Sequence, residues 1–132
     1  MSEPIVFISR NRVVEGRRAE FEVAYAHAID LIRTTKPGTA FFAAYADATG
    51  IEVAIVHVFP DANAMALHFE GSAERTESAA QLIAPIGFEV YGRAPVAAVD
   101  QLRREASVAG ASVEILGDSL GGFLREPGQE ER

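Results

Sequence analysis

One stretch of the chain, residues 37 to 68, limits the fold more than any other part of the sequence. It reads PGTAFFAAYADATGIEVAIVHVFPDANAMALH. Pro37-Gly38 ends the preceding segment, because proline cannot continue a helix and glycine accepts the backbone angles of a sharp turn. The aromatic run at 41–45 and the β-branched run at 51–59 flank an Asp-Ala-Thr-Gly turn, which predicts two strands joined as a hairpin.

A helix is expected directly after this hairpin. Pro60-Asp61 stops the second strand, Asp61 is a favourable N-cap, and Ala62 to Phe69 favours helix. The stretch therefore predicts the order strand, strand, helix.

The flanking segments complete a repeated pattern. Their predicted elements are a strand at Ile5 to Val13, an amphipathic helix at about Gly16 to Thr35, a helix at Ala73 to Ile83 that Pro85 ends, and a strand at Ile86 to Arg93. The resulting order βαββαβ predicts an α+β, ferredoxin-like fold with helices on one face of an antiparallel sheet.

The segment after Arg93 is predicted to extend this core. Val96 to Ser107 favours a helix, Ser112 to Leu116 a short strand, and Gly121 to Leu124 a second extended piece. We divide the chain into a core at 1–93, an extension at 94–125 packed on the core, and a frayed tail at 126–132. Packing at a sheet edge or across a dimer is the favoured role of the extension; the alternative is that Gly121-Gly122 lets the backbone approach a ligand.

The composition predicts one compact domain. The 132 residues are 48% apolar and include no cysteine, and no apolar run approaches the ~20 residues that span a bilayer. The N-terminus lacks the pattern of a signal peptide. The formal charge of −7 argues against nucleic acid, whose phosphates attract basic surfaces. We expect a cytoplasmic protein without membrane or nucleic-acid partners.

Both faces of the predicted sheet are apolar. Val53 and Ile55 point one way while Val56 and Val58 point the other, and only one face can receive helices. Covering roughly 500 Å² of apolar surface at about 25 cal/mol/Å² would gain on the order of 12 kcal/mol before association costs. A second copy of the chain is the simplest cover, so we expect a homodimer.

These features occur together in one family. The PG turn, the aromatic strand, the aliphatic strand ending in Phe59 and the helix that carries His68 resemble the antibiotic biosynthesis monooxygenase (ABM) family of dimeric α/β barrels. The turn at 13–16 and Phe21 in the first helix extend the similarity, which covers residues 4 to about 93. The resemblance implies a homodimer and a cofactor-independent monooxygenase that acts on a small aromatic or polyketide-like substrate.

The haem-degrading branch of that family fits less well. It combines an Asn on the first strand, a Trp on the third and a later His. Asn11 matches, but the chain has no Trp, Phe59 stands in its place, and Ala73 to Ile83 contains no His. Since the sequence also lacks ligand-spaced His residues and a Gly-rich phosphate loop, we expect no metal, flavin or haem cofactor.

In cofactor-free relatives, a polar pocket orients a phenolic substrate so that loss of a proton lets it react with dioxygen. The resemblance implies His68 as the catalytic residue, and the last turn of its short helix should favour a protonated ring at a cavity rim. The other pocket candidates are Asn11, Tyr25, Phe42, Tyr45, His57 and Tyr91. Ordinary packing remains the alternative for each, with His57 as a buried neutral imidazole and His68 as a partly exposed one. His27 is expected to face solvent.

Four arginines, Arg10, Arg12, Arg17 and Arg18, are crowded into nine residues of an acidic protein. An anionic ligand or acidic partner would explain them, but pairing with Glu15, Glu20 and Glu22 is the favoured interpretation.

Two functions therefore fit the sequence. One is the cofactor-free monooxygenase; the other is a non-catalytic dimeric barrel that binds a small apolar ligand or serves a structural role. The space between helices and sheet separates them. No substrate fits if that space is filled by Phe21, Phe41, Phe42, Phe69 and Phe88.

Overall fold

A computed structural model describes residues 3–125 and shows an open, five-stranded sheet with four helices. The elements are β1 (Ile5–Val13), α1 (Arg18–Thr35), β2 (Phe41–Ala46), β3 (Glu52–Phe59), α2 (Ala62–Phe69), α3 (Ser72–Ala79), β4 (Ile83–Tyr91), α4 (Val96–Ala109) and β5 (Ser112–Leu116). The predicted ferredoxin-like α+β core is confirmed. No helix of this described region is long and apolar enough to cross a membrane.

The strands lie in the order β2-β3-β1-β4-β5, with β1 in the centre. β1 pairs antiparallel with β3 and β4, and β2 pairs antiparallel with β3. β5 instead runs parallel to β4, because α4 returns the chain to the same end of the sheet before β5 begins. The sheet is therefore mixed rather than wholly antiparallel, and the extension covers the outer edge of β4.

The helix-facing side of the sheet holds two separate apolar clusters. The larger cluster joins Ile5, Phe7 and Phe59 to Met65 of α2 and Leu102 of α4, among others. The smaller one, at the other end of β1, joins Val13, Phe21 and Val53. Between them, β1 carries Ser9 and Asn11 on the same face, since alternate residues of a strand share a face. The middle of the sheet is thus left without a packed apolar centre.

The prediction that a helix runs to Ile83 and is ended by Pro85 was wrong. α3 ends at Ala79, and Pro85 lies inside β4, paired with Asn11. The register shifts between Arg10 and Asn11, so a β-bulge accommodates the proline, which cannot donate to the strand ladder. Leu82 and Ile83 are apolar because they pack in the smaller cluster rather than on a helix face.

The remaining boundaries differ by small amounts. α1 begins at Arg18 rather than Gly16, β4 ends at Tyr91 rather than Arg93, and α4 continues to Ala109. Residues 121–124 form no strand. The tail predicted at 126–132 lies outside the described residues.

The arginine-rich segment is paired with carboxylates. Arg17 bonds Glu20 and Arg18 bonds Glu22 along α1, and Arg10 bonds Glu89 across the sheet. Pairing within the chain therefore accounts for three of these cations: Arg17 and Arg18 have the expected partners Glu20 and Glu22, whereas Arg10 pairs with Glu89, which was not expected.

The cap of α2 offers a direct test of this architecture. Asp61 Oδ1 accepts a hydrogen bond of 2.8 Å from the Ala64 backbone N–H, satisfying a donor that the helix itself cannot. Asp61→Ala should lower the free energy of unfolding by about 1 kcal/mol, measured by urea denaturation. Asp118→Ala, in the segment after β5, is the matched control. An unchanged midpoint for Asp61→Ala would contradict the cap.

Candidate ligand-binding cavity

An open cavity of about 650 Å³ lies between the sheet and the helices. Its floor is formed by β1, β3 and β4, and its walls by α1, α3 and α4. Four of the five phenylalanines that were expected to decide whether this space is filled lie around the cavity: Phe21, Phe42, Phe69 and Phe88. The space is therefore large enough for a small organic ligand, whose sites usually measure roughly 300–1,000 Å³.

His57 projects from β3 into this cavity. Its Nδ1 lies 3.0 Å from the carbonyl oxygen of Phe7, and its ring stacks on the Phe7 ring at a centroid distance of 4.6 Å. Because a carbonyl oxygen only accepts hydrogen bonds, Nδ1 of the neutral ring carries the hydrogen and Nε2 keeps its lone pair. Backbone and aromatic contacts thus fix one tautomer of His57.

His68 reaches the same cavity from α2. Its Nδ1 lies 2.8 Å from Thr39 Oγ1, and its ring meets the His57 ring nearly perpendicularly at 5.2 Å between centroids. The side chain is only 4% exposed, so the expectation of a partly exposed ring at a cavity rim was wrong. The sequence could not show that Phe42, Phe59 and Phe69 surround it.

Both imidazoles are held in the neutral form. Burial lowers the pKa of His57 to about 4 and that of His68 to about 3, and for His68 the neighbouring His57 adds to the effect. The helix end was expected to favour a protonated His68; burial outweighs that influence, which amounts to about 0.3–1 kcal/mol in exposed settings. At neutral pH the cavity therefore contains two uncharged rings that can accept a proton.

Asn11 and Ser9 form a small polar patch on the floor. Asn11 is 2% exposed, and its Nδ2 donates to the Ser9 carbonyl and hydroxyl oxygens at 3.1 and 2.9 Å. The bulge beside Asn11 sets this arrangement. Sequence reasoning selected Asn11 but missed Ser9, which two-residue alternation along β1 would have found.

Tyr25 lines the cavity from α1, stacked between Phe21 and Phe42. Its hydroxyl is buried and has no hydrogen-bond partner in the described part of the chain. Burial raises its pKa to about 12, so the group stays a phenol and a potential donor. An unpaired buried hydroxyl costs about 1–3 kcal/mol, and a ligand acceptor would remove that cost.

Two predicted placements were wrong. Tyr45 and Tyr91 lie on the opposite face of the sheet, because their register partners Ala54 and Val6 alternate with cavity-facing residues. Tyr91 donates its hydroxyl to Glu89 there, and Tyr45 is 58% exposed. His27, expected to face solvent, is exposed but contributes to the lining of the cavity.

One cavity residue was missed entirely from the sequence. Arg75 of α3 lines the space and donates to the carbonyl oxygens of His68 and Glu70 at the end of α2. The signal was weak, since a single arginine on a short polar helix normally indicates a solvated face.

Metal binding finds no support in the cavity. Within residues 3–125, no group of three or more His, Asp or Glu side chains is placed to hold a metal ion.

Comparison with known proteins identifies the fold. No family model and no curated protein matches the sequence. Among solved structures, MupZ from Pseudomonas fluorescens is similar at a TM-score of 0.67 and 19% identity, over 92% of this chain and 91% of that one. SnoaB from Streptomyces nogalater, a cofactor-independent oxygenase, is similar at 0.59 and 16% identity, over 72% and 97%. A predicted antibiotic biosynthesis monooxygenase from Bacteroides thetaiotaomicron reaches 0.56 and 18%, over 71% and 90%. The chain thus has the ferredoxin-like fold of these structures, which is the fold that the sequence resemblance to the ABM family implied.

The neutral histidines predict an acid-sensitive fold. In the folded protein the pKa values of both histidines lie below the ordinary 6.5. As the pH falls from about 6.5 towards 4, the unfolded chain therefore binds more protons than the folded chain does. Stability that is fully present above pH 6.5 should be lost across that window, by an amount on the order of a few kcal/mol. Urea denaturation at several pH values measures it.

His68→Asn should flatten this pH dependence, whereas His27→Asn, at an exposed position, should leave it as in the parent protein. Equal slopes for the parent and His68→Asn would show that His68 is not held neutral by burial.

Proposed function

We propose that this protein is a cofactor-independent monooxygenase that oxidises a small aromatic or polyketide-like substrate held in the cavity. The observation that carries the proposal is an open, largely apolar cavity in which two buried neutral imidazoles face one another. The fold shared with SnoaB, a cofactor-independent oxygenase, supports the same reaction class. We also propose the cytoplasm as its location, in keeping with a chain that contains no cysteine.

The proposed reaction converts a phenol with an unsubstituted ring position to a quinone. A base removes the phenolic proton, and the electron-rich ring then reduces dioxygen to form a ring hydroperoxide. Loss of one water from this hydroperoxide leaves the quinone, so one oxygen atom enters the product and the other leaves as water. Dioxygen is the oxidant and the substrate supplies all the electrons, so the chain itself must only bind, orient and move protons.

We assign the base to His68. Its Nδ1 partner is the Thr39 hydroxyl, whose oxygen can accept a hydrogen bond from Nδ1–H and so leave Nε2 of the neutral ring with the lone pair that takes up a proton. His57 is instead tied to a main-chain carbonyl and stacked within the sheet, so we assign it to orienting His68 and the substrate. Asn11 and Tyr25 supply further polar contacts on the floor and wall.

The low pKa of His68 sets a condition on this role. The neutral His68 ring, whose protonated form has a pKa of about 3, is a weak base towards a phenol with an ordinary pKa near 10. Proton transfer from the phenol becomes less unfavourable when the product phenolate remains beside the imidazolium, because an opposite charge within about 4–6 Å can shift each pKa towards the other by roughly 1–3 units. The substrate must therefore bind with its hydroxyl next to His68.

A non-catalytic binding protein is the second candidate function. The burial of His57 and His68 supports this function too, because two neutral rings suit the binding of an apolar ligand whether or not a reaction follows. Turnover separates the two candidates, whereas binding alone does not.

Oxygen uptake tests the catalytic assignment. A hydroxynaphthalene substrate should be consumed with one dioxygen per quinone formed. His68→Asn should lower kcat by about 10²–10⁴-fold, the usual contribution of a general base. Thr39→Val should lower it less, and Asp118→Ala, at an exposed position away from the cavity, should leave it unchanged.

If phenols bind to the parent protein without any oxygen uptake, the monooxygenase proposal is wrong and the binding function is favoured. If His68→Asn retains full kcat while His57→Asn does not, the two roles are reversed.

We further propose a homodimer formed through the helix-free face of the sheet. That face presents Phe41, Ile8, Val56 and Val58, and Phe41 remains 42% exposed in the single chain. No helix of residues 3–125 packs on this face, so these residues leave it uncovered. A second copy of the chain would cover it with the same residues.

Light scattering at micromolar concentration should give about twice the mass of the 14.2 kDa chain. Val56→Glu should yield a monomer, whereas Glu114→Gln on the same face of the edge strand β5 should remain dimeric. A monomeric parent protein would contradict the proposal.

A further inference from the structure

The cation on the cavity wall is not paired with a carboxylate. Arg75 is the one lysine or arginine side chain on its wall in the described part of the chain, and Glu105 is the one carboxylate. Glu105 accepts a hydrogen bond of 2.9 Å from Gln101 on the same helix, and no carboxylate of residues 3–125 lies within 4 Å of the Arg75 guanidinium. The cation at the wall therefore lacks a close counter-ion among these residues.

Backbone contacts hold Arg75 in place without neutralising it. Nη2 donates to the His68 carbonyl oxygen at 2.6 Å and Nη1 to that of Glu70 at 3.2 Å. These carbonyls belong to the end of α2, whose dipole is equivalent to about half a negative charge. Lys36 Nζ binds the same end, through the carbonyls of Leu67 and Glu70. The full positive charges of Arg75 and Lys36 are therefore offset by only about half a negative charge at this helix end.

The remaining donors of Arg75 have no hydrogen-bond partner among residues 3–125. A guanidinium carries five N–H donors, and the contacts above use two of them. Its attachment to the His68 carbonyl places the charge beside both imidazoles, where it lowers the pKa of each. A planar cation with free donors, next to an apolar space and two neutral rings, is suited to a single oxyanion.

We propose that the cavity takes a ring-containing, largely apolar ligand that carries one oxyanion, and that Arg75 binds this oxyanion. The oxyanion is a carboxylate or an ionised phenol or enol; these share the charge and oxygen acceptors that a guanidinium recognises. The inference rests on the proposed binding cavity and defines its ligand more narrowly. For an oxidation of the kind proposed above, Arg75 would also stabilise the phenolate that proton loss creates.

Paired naphthalene probes test the proposal without turnover. Isothermal titration calorimetry at pH 7 gives the Kd of 2-naphthoate and of the uncharged 2-naphthamide. The parent protein should bind the naphthoate about tenfold or more tightly than the amide, in line with hydrogen bonds to charged groups. Arg75→Gln should abolish that preference. Arg103→Gln, which removes one exposed positive charge from α4, should retain it.

Two further measurements keep the test decisive. Arg75→Lys keeps the charge and should retain part of the preference, and melting temperatures show whether Arg75→Gln is folded. Absorbance of bound 2-naphthol at pH 8 identifies the source of the oxyanion. A naphtholate spectrum in the parent but not in Arg75→Gln assigns an ionised phenol, and a preference confined to naphthoate assigns a carboxylate.

Equal affinity of the parent for naphthoate and naphthamide with no naphtholate spectrum, or a preference that survives in folded Arg75→Gln, would overturn the proposal. Because these measurements record equilibrium binding, a protein that binds the oxyanion but consumes no dioxygen would refute the monooxygenase and leave this inference standing.

Discussion

The polar middle of β1 is the constraint on which the site depends. A central strand of a small sheet normally contributes an unbroken apolar row to the core, but here Ser9 and Asn11 interrupt it. Asn11 and Ser9 bond to each other rather than to a helix, and the apolar residues gather into one cluster at each end of the strand. The cavity is the space that these two clusters leave between them. The bulge at Asn11 keeps the patch in register with Pro85.

Within that space, burial and charge act in the same direction on the histidines. Removal from water disfavours the imidazolium form, and the Arg75 guanidinium disfavours it further. The cavity therefore resists a positive charge on either ring, and no carboxylate of residues 3–125 lies within 4 Å of the Arg75 guanidinium. A ligand that brings a negative oxygen would relieve both effects together. In the proposed reaction, binding and proton transfer would then be coupled through electrostatics.

Local patterns predicted the fold well and the site only in part. The hairpin and α2 were predictable because turn residues, a β-branched run and an N-cap agree with one another over 37–69. Pro85 was wrongly predicted to end a helix, because the sequence around it does not distinguish a proline in a β-bulge from a proline that follows a helix. The structure places Asn11, Tyr25, Phe42, His57 and His68 around one cavity. Tyr45 and Tyr91 were wrongly expected in the cavity, because deciding which face of a strand meets the helices requires the register. Arg75 could not be found, because its position depends on how α3 returns against the end of α2.

The extension has a consequence for how such a cavity diversifies. α4 supplies Gln101, Leu102 and Glu105 to the wall, while β5 fastens that helix to the edge of the sheet. One side of the cavity is thus formed by a helix that follows the βαββαβ core in the chain. Mutations in α4 can reshape what the cavity accepts while the imidazoles and the strands that carry them remain as they are.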